Sequence, residues 1–249
     1  MTVIVYDAAT EAAMTTAMVI GANGGIGAAL VAGLAGSGRY TSIIAAARRA
    51  PAALPDGVDY HPIDLADPAS IEAAAARIDA PLTRVIVATG ILHDEAGGPE
   101  RSLRDLDADR LAHLFAINTI GPALVLRHFA PLLVKDAPSA IACISARVGS
   151  ISDNRLGGWY GYRASKAALN QIVRTAAIEL ARTRPQAVCV ALHPGTVDTG
   201  LSKPFQRGVP AEKLFAPAYS AERLLAVLDG LTPAQSGRIF AWDGAEITP

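Results

Sequence analysis

Aromatic residues are scarce in this sequence: Phe, Tyr and Trp make up 5% of its 249 residues, although 51% are hydrophobic. Ala, Val, Leu and Ile must therefore fill the core, a composition suited to parallel strands covered on both faces by helices. Cysteine is nearly missing. Cys143 and Cys189 each lie in an apolar run and read as small core residues rather than a disulfide or metal site. No apolar run reaches the ~20 residues that span a bilayer. An excess of either charge is also lacking, since 22 Lys and Arg balance 23 Asp and Glu for a formal net charge of −1. That balance offers no footprint for nucleic acid or a membrane surface. His61, His93, His113, His128 and His193 show no metal-ligand spacing, and no metal is expected. Met1 to Thr10 carries Asp7 but no Lys or Arg, so it lacks the basic start of a secretory signal. A cytoplasmic location is expected.

What the chain does contain is an alternation of short apolar runs with longer helical stretches. Strands are predicted at 16–20, 42–47, 58–62, 84–89, 140–145, 187–193 and 238–241. Helices are predicted at about 26–37, 70–78, 107–134 with an interruption near Gly121 and Pro122, 158–181 and 221–228. Such alternation implies right-handed βαβ units. The fold class is α/β, a single-domain Rossmann fold with a doubly wound, mostly parallel sheet of about seven strands. Residues 1–13 precede the first strand and are expected to form a flexible arm; an added edge strand and a start at Met14 are the alternatives. Residues 14–249 are expected to form one dinucleotide-binding domain, of ordinary length for that class.

Between the first strand and the first helix runs Gly21-Ala22-Asn23-Gly24-Gly25-Ile26-Gly27. Glycines here permit positive φ, and their missing Cβ atoms let backbone N–H groups approach a pyrophosphate at a positive helix N-terminus. Gly21, Asn23, Gly25, Ile26 and Gly27 are the expected contacts. Two spacings fit, one through Gly21, Gly25 and Gly27 and the other through Gly21, Gly24 and Gly27. A tightly packed turn without ligand is the plainer alternative. An acidic residue at the end of the second strand would hold the ribose 2′-hydroxyl of NAD. Here Ala47 is followed by Arg48 and Arg49, and a guanidinium matches a 2′-phosphate. The expected cofactor is NADP(H), with Arg48 at its phosphate. Asp64, before Leu65, is placed to accept from an adenine amino group or to cap a turn.

Tyr162 and Lys166 stand four apart on a predicted helix and so share one face. An ammonium beside a phenol favours the phenolate, and a tyrosine tuned this way can exchange a proton with a carbonyl oxygen.

These pieces, in this order, resemble the short-chain dehydrogenase/reductases from about Thr16 to Trp242, and the stretch from Ser145 to Lys166 resembles the C-factor-like branch. The other matching pieces are Asp64-Leu65, Asn118 and the segment from Pro194 to Thr199. The resemblance implies a hydride-transferring oxidoreductase acting on a small carbonyl or alcohol, assembled as a homodimer or homotetramer. It implies that Lys166 also binds the nicotinamide ribose and that Asn118 helps hold a water in a proton relay. Pro194, Gly195, Val197 and Thr199 would line the nicotinamide, and Gly90 the adenosine ribose. Two departures stand out. Val87-Ala88-Thr89-Gly90 replaces the usual Asn-Asn-Ala-Gly, and Ala146 occupies the position of the substrate-orienting serine. Ser145, Ser150 or Ser152 is left to supply that hydroxyl. Losing such a donor can cost ~10²–10³ in rate, so a dinucleotide-binding regulatory or signalling protein with vestigial catalysis is the alternative. Trp159 is expected at a pocket wall or in the core, and 201–217 as a variable lid.

Overall fold

A computed structural model describes residues 15–93 and 97–249; the expected arm at 1–13 lies outside them. Seven parallel strands form the sheet: β1 (Thr16–Ile20), β2 (Ser42–Ala47), β3 (Val58–Pro62), β4 (Leu82–Val87), β5 (Ser139–Ile144), β6 (Ala187–His193) and β9 (Ile239–Ala241). Their spatial order is β3-β2-β1-β4-β5-β6-β9. A two-stranded parallel pair, β7 (Thr196–Val197) and β8 (Leu214–Phe215), lies apart from it. The helices are α1 (Gly25–Gly36), α2 (Pro68–Ala75), α3 (Ala108–Phe115), α4 (Gly121–Phe129), α5 (Tyr160–Thr183) and α6 (Pro217–Gly230).

Both faces of the sheet are covered, which explains the uninterrupted apolar strands. Along β1, Met18 and Ile20 join a core with Ile71 of α2, Phe129 of α4 and Leu169 and Val173 of α5. Ala17 and Val19 face the other way, onto Leu30 and Leu34 of α1 and Leu224 and Leu228 of α6. The period-two alternation of side chains splits one strand between two cores.

Chain order reverses between β1 and β4, so the loops after these strands diverge at their C-terminal ends. Crevices at such points bind ligands in open α/β sheets. The glycine loop leaves β1 here, and Thr89-Gly90 leaves β4 beside it.

Several boundaries differ from the expectation. β4 begins at Leu82, two residues early, and ends at Val87, because Thr89 and Gly90 already turn away. α6 begins at Pro217, where proline's missing N–H costs nothing in the first turn. The predicted break near Gly121-Pro122 is a π-helical turn over Ala116–Ile120, with the Gly121 N–H donating to the Ala116 carbonyl. Pro122 has no N–H to offer the carbonyl four residues back, that of Asn118.

Candidate active site

The turn after β1 has little spare room. Gly21 sits at φ +94°, and a Cβ there would lie 2.9 Å from Thr89 Cγ2. A Cβ on Gly25 would meet Thr199 Cγ2 at 2.7 Å, and one on Gly27 would reach the Gly21 carbonyl oxygen at 2.0 Å. Gly24 is less constrained, its Cβ meeting only the Gly21 oxygen at 3.4 Å. Sterics therefore select Gly21, Gly25 and Gly27 of the two possible spacings. No side chain caps the N-terminus of α1, so its first N–H groups are open to an anion. Asn23 Nδ2 donates to the Arg49 carbonyl at 2.6 Å and ties this loop to the segment after β2. Arg48 is exposed there and enters no ion pair among the described residues. Thr89 Oγ1 is buried beside the loop with no described partner. An orphaned hydroxyl, a Cβ-free cradle and an uncapped helix end all suit a dinucleotide.

Asp64 Oδ1 accepts from the Ala66 N–H at 3.0 Å, and the Asp64 N–H donates to Ser70 Oγ at 2.9 Å. The carboxylate thus shapes the turn into α2. Leu65 belongs to the core, where its side chain presses on the start of α4; a Cβ on Gly121 would lie 2.8 Å from Leu65 Cβ.

A cleft of about 330 Å³ opens at the C-terminal ends of the strands. It brings together Ile26, Gly90, Ser145, Tyr162, Lys166, Pro194, Gly195, Val197 and Thr199 of the predicted residues. Asn118 is fully buried behind it. A groove of about 460 Å³ between α4 and α5 is larger but contains none of the predicted site residues.

Helix α5 carries Tyr162 and Lys166 on its buried face. Lys166 Nζ lies 5.8 Å from the centroid of the Tyr162 ring and donates to the Ile144 carbonyl at 2.9 Å. No described residue bonds the Tyr162 hydroxyl, which is left to the cleft. Burial pushes the Lys166 ammonium down to about 8. Burial also pushes the Tyr162 phenol up to about 12. The expected lowering of the phenol by Lys166 is therefore corrected for this structure: desolvation dominates, and it favours the neutral acid.

Asn118 spends its side chain on structure. Its Oδ1 accepts from the Ile91 N–H at 2.9 Å, and its Nδ2 donates to the Ile91 carbonyl at 2.9 Å and to Ser165 Oγ at 3.1 Å. These bonds lock the loop after β4 onto α5. A Cβ on Gly90 would lie 3.3 Å from Lys166 Nζ and 3.4 Å from Asn118 Oδ1, so glycine lets both groups approach this loop.

Each of the three candidate serines gives its hydroxyl proton to a protein acceptor in this structure. Ser145 Oγ gives its single proton to Asn170 Oδ1 at 2.7 Å, inside the protein. Ser152 Oγ donates to the Pro249 carbonyl at 2.7 Å, and Ser150 Oγ donates to the Thr248 carbonyl. Both loop serines hold the C-terminal segment instead. Ala146 itself faces the cleft.

The remaining wall is largely aromatic and aliphatic. Trp159 adopts a left-handed φ of 54° at the N-cap of α5. It packs edge-on against Phe205 at 5.3 Å and Tyr162 at 6.3 Å between centroids, which places it in the cleft rather than the core. Leu201, Phe205 and Val209 of the expected lid also line the cleft. Sequence reasoning passed over Glu100. Its buried carboxylate accepts from the Gly161 N–H at 3.1 Å and anchors the first turn of α5 from a distant loop. Arg147 and His193 were likewise passed over as site residues, and both line the cleft.

The short chain dehydrogenase family model matches residues 15–209. The C-signal of Myxococcus xanthus is 41% identical over 147 residues, covering 59% of this chain and 82% of that protein. The 1-hydroxy-2-glutathionyl-2-methyl-3-butene dehydrogenase of Rhodococcus sp. strain AD45 is 34% identical over 238 residues, covering 93% of this chain and 98% of that one. Among solved structures, the NADPH-bound carbonyl reductase from chicken fatty liver superposes with a TM-score of 0.81 at 27% identity, covering 95% of this chain and 99% of the other. The chain belongs to the short-chain dehydrogenase family and, within it, to the C-factor-like branch.

Proposed function

We propose that this protein is an NADP(H)-dependent oxidoreductase that interconverts a small carbonyl compound and its alcohol. The observation that carries the reading is the placement of Tyr162 and Lys166, buried together at a cleft with the phenol hydroxyl free of described partners. When bound, the nicotinamide supplies hydride to the carbonyl carbon or takes it from the alcohol. Gly21, Asn23, Gly25, Ile26 and Gly27 would cradle the pyrophosphate. Arg48 would pair with the 2′-phosphate, Asp64 and Leu65 would flank the adenine, and Gly90 the adenosine ribose. Pro194, Gly195, Val197 and Thr199 would line the nicotinamide.

Tyr162 donates the proton to the carbonyl oxygen and takes it back in the reverse direction. The buried phenol holds its proton at neutral pH, as a donor must. Lys166 binds the nicotinamide ribose and stabilises the phenolate that donation leaves. Its own proton is the more easily lost, which suits it to restoring that of Tyr162. Asn118 completes the relay through its backbone carbonyl, deprived of an α-helical donor by Pro122, where a water can sit. Ser145 acts through Asn170 as a positioning residue.

A specific observation favours a second reading. Ala146 removes an oxyanion donor, and one relative is named a signal. On that reading the protein binds the dinucleotide for a regulatory or signalling role and turns over poorly. By the family resemblance the protein would work as a homodimer or homotetramer, and a cytoplasmic location is proposed with it.

NADPH oxidation measured against aldehydes, ketones and quinones tests the proposal. Turnover of any of them supports the oxidoreductase; tight NADPH binding with no turnover supports the second reading.

A further inference from the structure

The charge on the cleft wall is one-sided. Among the described residues that line it, Arg147 and Lys166 are cationic and none is acidic. Lys166 is buried, lies against the Ile144 carbonyl and belongs to the proton-transfer pair. Arg147 has no such assignment. It follows Ala146 in a short 3₁₀ turn, lines the cleft and has a half-exposed side chain. Its recorded partner is Asp153, through one contact of 3.3 Å between two half-exposed groups. An exposed pair of this kind is weak, and the guanidinium retains donors beyond the one used.

His193 next to it adds no negative charge. Burial and the Arg147 cation hold its imidazole neutral, while Asp243 opposes them. Asp243 is outside the cleft lining and accepts from the Ala245 N–H at 3.1 Å. Leu92, Val148, Trp159, Phe205 and Val209 give the wall a largely apolar surface, and its polar members, Thr89, Ser145, Tyr162, Thr196, Thr199 and Ser202, are uncharged side chains. A cation held by one exposed ion pair, beside a largely apolar and aromatic wall, fits a ligand with an apolar body and an anionic group.

We infer that the carbonyl substrate carries a carboxylate and that Arg147 is the specificity-determining residue that binds it. This rests on the assignment of the cleft as the substrate site, but not on turnover. A planar guanidinium pairs with a carboxylate through two parallel N–H···O bonds. Apolar walls lower the local dielectric and strengthen the pair. Such an anchor would also orient the carbonyl and so take over part of the task of the hydroxyl missing at Ala146.

Binding of benzoate and of benzamide to the NADPH-loaded protein, followed by calorimetry, tests the inference without any catalytic step. The wild type is expected to bind benzoate at least about tenfold more tightly than benzamide. Arg147→Gln should bring that ratio to about one. Should Arg147→Gln fail to fold, Asp153→Asn provides the second variant: it releases the guanidinium and should tighten benzoate severalfold while leaving benzamide where it was. Equal affinities in the wild type, no benzoate binding, or a ratio that survives Arg147→Gln would overturn the inference. Carbonyl turnover in the same preparations reports separately on the proposed reaction, so carboxylate selectivity without turnover would remove the reductase assignment and keep Arg147 as the anion anchor.

Discussion

Ser145 Oγ donates to Asn170 Oδ1 at 2.7 Å, tying the end of β5 to the middle of α5. The serine nearest the expected position therefore serves the fold, and the adjoining Ala146 presents only a methyl group to the cleft. Ser145→Ala should leave Asn170 short of a donor and cost about 1–3 kcal/mol of stability, seen as a lower Tm. Its turnover should fall far less than that of Tyr162→Phe. Ala146→Ser should return a donor to the cleft and raise kcat by up to roughly 10². A kcat that is unchanged or reduced in Ala146→Ser would contradict this account of the departure.

The glycine loop makes a paired prediction. Gly27→Ala places a Cβ 2.0 Å from the Gly21 carbonyl oxygen, whereas Gly24→Ala places one at 3.4 Å. Gly27→Ala should abolish NADPH binding or prevent folding. Gly24→Ala should retain both properties, as read by NADPH titration and thermal melts. Loss of NADPH binding in Gly24→Ala would restore the Gly21, Gly24, Gly27 spacing, and a harmless Gly27→Ala would contradict both spacings.

Much of the fold was legible because parallel strands buried on both faces are unbroken apolar runs, as in Thr16–Ile20 and Ala187–His193. Tyr162, Lys166 and the glycines were legible because their chemistry demands fixed spacing. The break near Gly121-Pro122 was legible too, but its π form over Ala116–Ile120 was not, since one added residue per turn hardly disturbs a helical pattern. Glu100 was hidden because its partner, Gly161, is 61 residues away. The fates of Ser145, Ser150 and Ser152 depend on neighbours brought by the fold, which local sequence does not name. Local sequence singles out neither Arg147 nor His193 as a site residue; the fold brings both to the lining of the cleft.

The proposed preference for NADP(H) rests on Arg48. Arg48→Ala should weaken NADPH by at least about tenfold, the loss of one charge-assisted pair, with little change for NADH. Equal weakening of both cofactors, measured by fluorescence titration, would remove Arg48 from the 2′-phosphate.

Two buried bases give opposite pH signatures. Lys166 titrates at about 8, so the pH profile of kcat/KM for carbonyl reduction should fall above that value as the ammonium is lost. A profile flat from about pH 6 to 10 would contradict the role given to Lys166. His193 falls from 6.5 to about 4 in the folded protein. The unfolded chain binds the extra proton first, so stability declines as pH falls from 6.5 towards 4. His193→Gln should flatten that decline in denaturant melts, and an unaltered decline would assign it to other groups.

The central claim is that Tyr162 supplies the proton in an NADPH-dependent carbonyl reduction. The most direct measurement is NADPH oxidation by wild type and Tyr162→Phe on a carbonyl that the wild type turns over, with NADPH affinity determined in the same samples. The account predicts turnover lost by about 10² or more and NADPH affinity retained. Comparable turnover in Tyr162→Phe would contradict it.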